Sequence, residues 1–171
     1  MKRFFALIAL MLSVCFAFCS CSSGAPDGTP SLADGEVLVN NLIITLPSGY
    51  ELKTTGGIKV ACCEEYPEKV NNISFVTGAK DSPDNYTKEK LDEIFSNLVA
   101  GFSGSDTFQN IEISGCKVLV YSYTLVQDEK PLIAMQYMIF GSDFTDTVTV
   151  TLESADDLAA IEQSIKSARI K

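Results

Sequence analysis

The chain has 171 residues, with 13 Lys and Arg against 22 Asp and Glu, a formal charge of -9, and neither His nor Trp. That length suits one domain plus a short processing segment, and 46% hydrophobic with 20% charged residues is a globular composition. The acidic balance argues against a nucleic-acid surface, which needs clustered Lys and Arg. The lack of His removes Ser-His-Asp and Cys-His catalysis, His-ligated zinc and His-ligated haem, so neither a metal nor a cofactor is expected.

Met1-Lys2-Arg3 opens the chain with positive charge, and the apolar run Phe4 to Phe18 follows. As a helix that run would reach about 22 Å at ~1.5 Å per residue, short of a hydrocarbon core of ~30 Å. A basic start, a short apolar stretch and then small residues make the pattern of a secretory signal. Its end, Phe18-Cys19-Ser20-Cys21-Ser22-Ser23-Gly24, resembles the lipobox of bacterial lipoproteins. In those proteins the thiol of a Cys that follows a small residue is alkylated by diacylglycerol and becomes the new N-terminus. Cys21, preceded by Ser20, fits that role best; Cys19 and Cys15 follow the bulky Phe18 and Val14.

The resemblance implies a signal peptide over residues 1–20, a lipidated Cys21 with a tether over 21–35, and a globular domain over 36–171. It places the domain on the extracytoplasmic face of a cell membrane, held there through its lipid. Ser22 to Gly35, rich in Ser, Gly, Pro and Asp, reads as a flexible spacer. Cleavage removes Lys2 and Arg3 and leaves the body still more acidic, so an anionic bilayer repels it and the lipid must do the holding.

From Glu36 the pattern is mixed. Val37 to Leu46 is β-rich and ends at the turn Pro47-Ser48-Gly49; Tyr50 to Thr54 and Ile58 to Glu64 read as a strand pair about Gly56-Gly57, and Ile73 to Val76 as a short strand. Thr87 to Val99 is helical: Leu91, Ile94, Phe95, Leu98 and Val99 recur at helical spacing between an N-cap at Thr87 and a stop at Gly101. Phe108 to Ile113, Cys116 to Val126, Leu132 to Phe140 and Thr145 to Glu153 form a meander. Its third strand is apolar on both sides, whereas its last alternates Val148, Val150 and Leu152 with outward Thr147, Thr149 and Thr151. A closing helix begins at Ser154, with Asp157 completing a capping-box-like start and Leu158, Ile161 and Ile165 as its buried stripe. The expected fold is α+β, an antiparallel sheet of about six strands flanked by helices on both faces.

These elements resemble the PsbP-like superfamily of α/β/α sandwiches over about Leu42 to Ile170. The carriers are Ile44-Thr45-Leu46-Pro47-Ser48-Gly49-Tyr50, then Asn72-Ile73-Ser74-Phe75-Val76, Ile113-Ser114-Gly115, Thr147 to Leu152 and Ser164-Ile165-Lys166-Ser167. The resemblance implies a non-catalytic binding or assembly module with a protein or envelope partner, since members of that superfamily are mostly not enzymes. It carries over no site residue.

Three residue groups invite chemistry. Cys62 and Cys63 with Cys116 allow buried free thiols, one structural bond to Cys116, or redox or soft-metal chemistry; Glu64 and Glu65 oppose the last by raising the thiol pKa. Tyr121, Tyr123 and Tyr137 could line a binding strip, although cross-strand packing explains them as well. Asp143, Asp146, Asp156 and Asp157 lack a calcium-loop spacing and read as solvated turn and cap residues. The competing functional readings are an extracytoplasmic enzyme, a carboxylate hydrolase or thiol oxidoreductase, and a carrier of a small ligand or lipid.

Overall fold

The computed structural model describes residues 31–127 and 129–171. The expected signal peptide, Cys21 and most of the tether lie outside the described residues. The chain runs β1 (Glu36–Val39), β2 (Leu42–Thr45), β3 (Tyr50–Thr55), β4 (Ile58–Cys63) and β5 (Asn72–Ala79), then a short 3-10 turn (Pro83–Asn85) and α1 (Lys88–Leu98). It continues through β6 (Ser105–Ile113), β7 (Cys116–Gln127), β8 (Lys130–Phe140), β9 (Phe144–Leu152), α2 (Leu158–Lys166) and β10 (Arg169–Ile170). All strand pairs are antiparallel. The coarse expectation of antiparallel strands with two helices therefore holds, but the strands divide between two sheets rather than forming one of about six.

The large sheet has seven strands in the order β3-β4-β5-β9-β8-β7-β6, and the small one has three in the order β1-β2-β10. After β5 the chain passes through α1 to the far edge, and the meander β6 to β9 brings it back until β9 pairs with β5. The single β-rich stretch read over Val37 to Leu46 is a hairpin. Asn40 takes a φ of 58°, a left-handed value that Asn tolerates better than most residues, and the chain folds back there.

Side-chain alternation sorts the apolar residues into two clusters. On β7, Val118 and Val120 join Ile73, Phe75, Tyr137, Ile139, Val148, Val150 and Leu152, together with Ile161 and Ile165 of α2 and Val39, Leu42 and Ile44 of the small sheet. The alternate β7 residues Leu119, Tyr121, Tyr123 and Leu125 join Leu132, Ala134, Met138 and Phe140 with Leu91 and Phe95 of α1. This explains why β8 reads as apolar on both sides: it feeds both clusters. Ser164 Oγ of α2 also donates to the Thr45 carbonyl, tying that helix to β2.

α1 begins as expected, with Thr87 Oγ1 accepting from Lys90 N at 3.2 Å. Gly101, at a φ of 78°, turns the chain tightly against Val126, whose backbone N and O would lie 3.2 Å from a Cβ placed there. The outward threonines of β9 need a correction: Thr149 and Thr151 are buried, as are Val148 and Val150.

Candidate functional site

The three thiols are free and far from forming a bond with one another across the sheet. Four strand steps separate β4 from β7. The residue that stands across the sheet from Cys62, reached through Asn72, Thr151 and Ala134, is Tyr123, seven residues along β7 from Cys116. At ~4.8 Å per strand and ~3.3 Å per residue the two sulfurs lie tens of ångströms apart, well beyond a disulfide. Cys63 Sγ donates to the Lys69 carbonyl at 3.6 Å. Burial pushes the Cys62 thiol above its ordinary value, and burial with Glu112 does the same to Cys116, which keeps both protonated. Thiol titration of the denatured mature chain, purified without reductant, should therefore count Cys62, Cys63 and Cys116 all as free. A Cys116 peptide linked to Cys62 or Cys63 in the digest would refute that.

The tyrosines are wholly buried but do not share one surface. Tyr121 and Tyr123 enter the cluster beneath α1, whereas Tyr137, paired with Val120, enters the other. The rings of Tyr121 and Tyr123 stand 5.0 and 4.8 Å from that of Phe95. The Tyr121 hydroxyl donates to Asp92 at 2.7 Å, and Asp92 also takes Lys88 at 2.6 Å. Buried aromatics with a polar tip need such a partner.

From the sequence Asp157 reads as a solvated cap residue, which misses the polar network around it. Asp157 occupies the N-cap position of α2 yet caps nothing with its side chain. Its Oδ2 instead accepts from Asn71 Nδ2 at 2.6 Å and from the Tyr50 hydroxyl at 3.2 Å, with Lys69 Nζ 3.5 Å away. Asn71, fully buried, accepts from Glu153 N at 2.9 Å through Oδ1, and its carbonyl accepts from Cys63 N. Glu153 in turn accepts from Val70 N at 3.3 Å. The start of β3, the β4–β5 loop and the β9–α2 loop are thus laced into one end of the sheet.

The Asn71 hydrogen bond, followed by those of Tyr50 and Lys69, holds the Asp157 carboxyl below its usual range against its partial burial. Burial, with Asp157 beside it, pushes the Tyr50 hydroxyl far above ordinary phenols. At neutral pH the carboxylate is charged and the phenol neutral, and each answers another group of the network. That arrangement clamps loops together.

Among the described residues no group of His, Cys, Asp or Glu is placed to hold a metal ion, and no helix is long and apolar enough to cross a membrane.

The chain matches no family model and no curated protein. Its fold is nevertheless similar to that of LpqN, involved in cell envelope biogenesis of Mycobacterium tuberculosis, with a TM-score of 0.54 at 11% identity over 76% of this chain and 83% of that one. It is also similar to the cyanobacterial PsbP of Synechocystis sp. PCC 6803, with a TM-score of 0.60 at 13% identity over 86% of this chain and 98% of the other. The fold is PsbP-like. Identities this low fix the architecture and transfer no residue roles.

Proposed function

We propose that the protein is a lipid-anchored, extracytoplasmic, non-catalytic binding or assembly module of a bacterial cell envelope, joined to its membrane through Cys21. The observation that carries this reading is Ser20-Cys21-Ser22 closing a short basic and apolar leader. Two acyl chains on Cys21, at ~0.8 kcal/mol per buried CH₂, hold an acidic body that the lipid surface itself would repel. A helical cover on each face of the large sheet, α1 on one and α2 beside the small sheet on the other, leaves the strand edges and loops to meet a partner. The closed hydrogen-bond networks around Asp157 and Asp92 favour a scaffold over a reaction centre, and the fold's likeness to a protein of cell envelope biogenesis suits the address.

Detergent phase partitioning followed by mass spectrometry of the N-terminus tests the anchor. The native protein should enter the detergent phase and begin with a diacylglyceryl-modified Cys21, while Cys21→Ser should carry no acyl group and keep its leader uncut. An untrimmed, acyl-free native chain in the aqueous phase would remove the basis of this reading.

A further inference from the structure

The large sheet ends at β6, and among the described residues no strand pairs with its outer side. An open edge is a row of unpaired N–H and C=O groups, and proteins usually blunt it with mid-strand charge, proline or a bulge. The opposite edge is blunted in this way: β3 carries Glu51 and Lys53 in its middle, 3.7 Å apart. On β6 such devices stand only at the ends. The pairing with β7 slips between Ser105 and Thr107, where Asp106 is extruded, and Glu112 sits opposite Lys117. Between them Thr107-Phe108-Gln109-Asn110-Ile111 is uncharged. Phe108 packs against the cluster under α1, while Ile111 and Ile113 pack into the other. The strand is therefore held from both faces, and its outer backbone row is ordered before anything binds.

We propose that this edge takes an extended basic segment of a partner protein as an eighth strand. The proposal rests on reading the protein as a binding module and names the surface that does the binding. Main-chain hydrogen bonds would supply affinity, as in other strand additions, and the flanking acids the selectivity. Asp106 and Glu112, six positions apart and both exposed, bracket the neutral stretch. A second copy of the chain is the poorer occupant. Pairing the whole stretch antiparallel with itself sets Asp106 against Glu112 at each end, and each mature copy, without Lys2 and Arg3, is more acidic than the full chain's formal -9. A segment with Lys or Arg at both ends of an uncharged β-prone run answers both acids.

The probe is the synthetic peptide acetyl-Lys-Thr-Val-Thr-Val-Thr-Lys-amide, added to the mature lipidated protein in detergent micelles, with amide hydrogen exchange read strand by strand. Amides within Thr107 to Ile111 should exchange roughly tenfold more slowly with peptide present, and those of β3 should not change. The double variant Asp106→Lys/Glu112→Lys, folded by circular dichroism, should bind the peptide roughly tenfold more weakly or worse. Three results would each overturn the proposal: no protection of β6 at millimolar peptide, equal protection of β3, or undiminished binding by the variant. So would protection of β6 that is present without peptide and disappears on dilution, because that marks a second copy as the occupant. Peptide binding and acylation are measured independently, so failure here leaves the membrane anchor standing, and the reverse holds too.

Discussion

Phe95→Ala should lower the free energy of unfolding by about 3–5 kcal/mol, the range for emptying a buried phenylalanine site. Phe95 is 1% exposed, and with Leu91 it is the part of α1 that reaches into the sheet. Its ring meets those of Tyr121, Tyr123 and Phe102 at centroid distances of 5.0, 4.8 and 6.1 Å, all within the roughly 4.5–7 Å over which aromatic pairs attract. Alanine would withdraw the ring from three neighbours at once, and the space lies between a helix and β-strands that cannot close over it. A domain of this kind has a total stability of only about 5–15 kcal/mol, so α1 should loosen before the rest. Urea unfolding measures the loss, and hydrogen exchange in α1 locates it. Phe95→Leu should recover much of it, because the core accepts a similar volume better than a void. A loss below about 1 kcal/mol for the alanine variant would mean that the aromatic cluster does not hold α1.

α1 was legible in the sequence because its information is local: an N-cap at Thr87, apolar residues at helical spacing, and Gly101 where the backbone needs a left-handed turn. The meander was legible for the same reason, as period-two patterns punctuated by turn residues. What the linear chain hides is which strands become neighbours. β5 and β9 pair although α1 and three strands separate them, and β1–β2 leaves the large sheet to form another with β10. Cys62 and Cys63 are neighbours on β4, but only the pairing order shows that Cys116 lies four strands away from them. Tyr121, Tyr123 and Tyr137 lie on adjacent strands as expected, but the register sets Tyr137 opposite Val120 and so on the other side of the sheet. The polar network was illegible because its partners are remote, Tyr50 and Asp157 being 107 positions apart. Ser154 and Asp157 made a plausible cap motif, yet Ser154 Oγ turns to Asp156 and α2 starts later, which frees the Asp157 carboxylate for the loops.

Asp146, read from its neighbours as a solvated turn residue, is 1% exposed, and its substitution carries the second large effect. Its carboxylate lies where the β1–β2 hairpin meets the large sheet. Oδ1 accepts from Thr77 Oγ1 at 2.5 Å and from Asn41 Nδ2 at 3.2 Å, and Oδ2 accepts from the Asn41 backbone N–H at 3.2 Å. Asp146→Ala strands these donors and should cost about 2–4 kcal/mol at neutral pH, the lost hydrogen bonds being offset in part by the removed cost of burying a charge. The pH dependence follows from the direction in which the group is shifted. Burial raises the Asp146 pKa above its ordinary value, with Thr77 and Asn41 opposing that shift only in part. The folded protein thus holds this proton more tightly than the unfolded chain does. The stability contributed by protonation is fully present below the unfolded carboxyl range, near ~3.9, and is lost as pH rises through the higher folded value. The gap between wild type and Asp146→Ala should accordingly widen as pH falls from neutral, measured by urea unfolding of both proteins at each pH. Asp146→Asn, which keeps one acceptor oxygen and never ionises, should be less damaging than alanine and should also gain on wild type as pH rises. A gap between wild type and alanine that narrows on acidification would show that the ionised carboxylate is the form that latches the hairpin to the sheet.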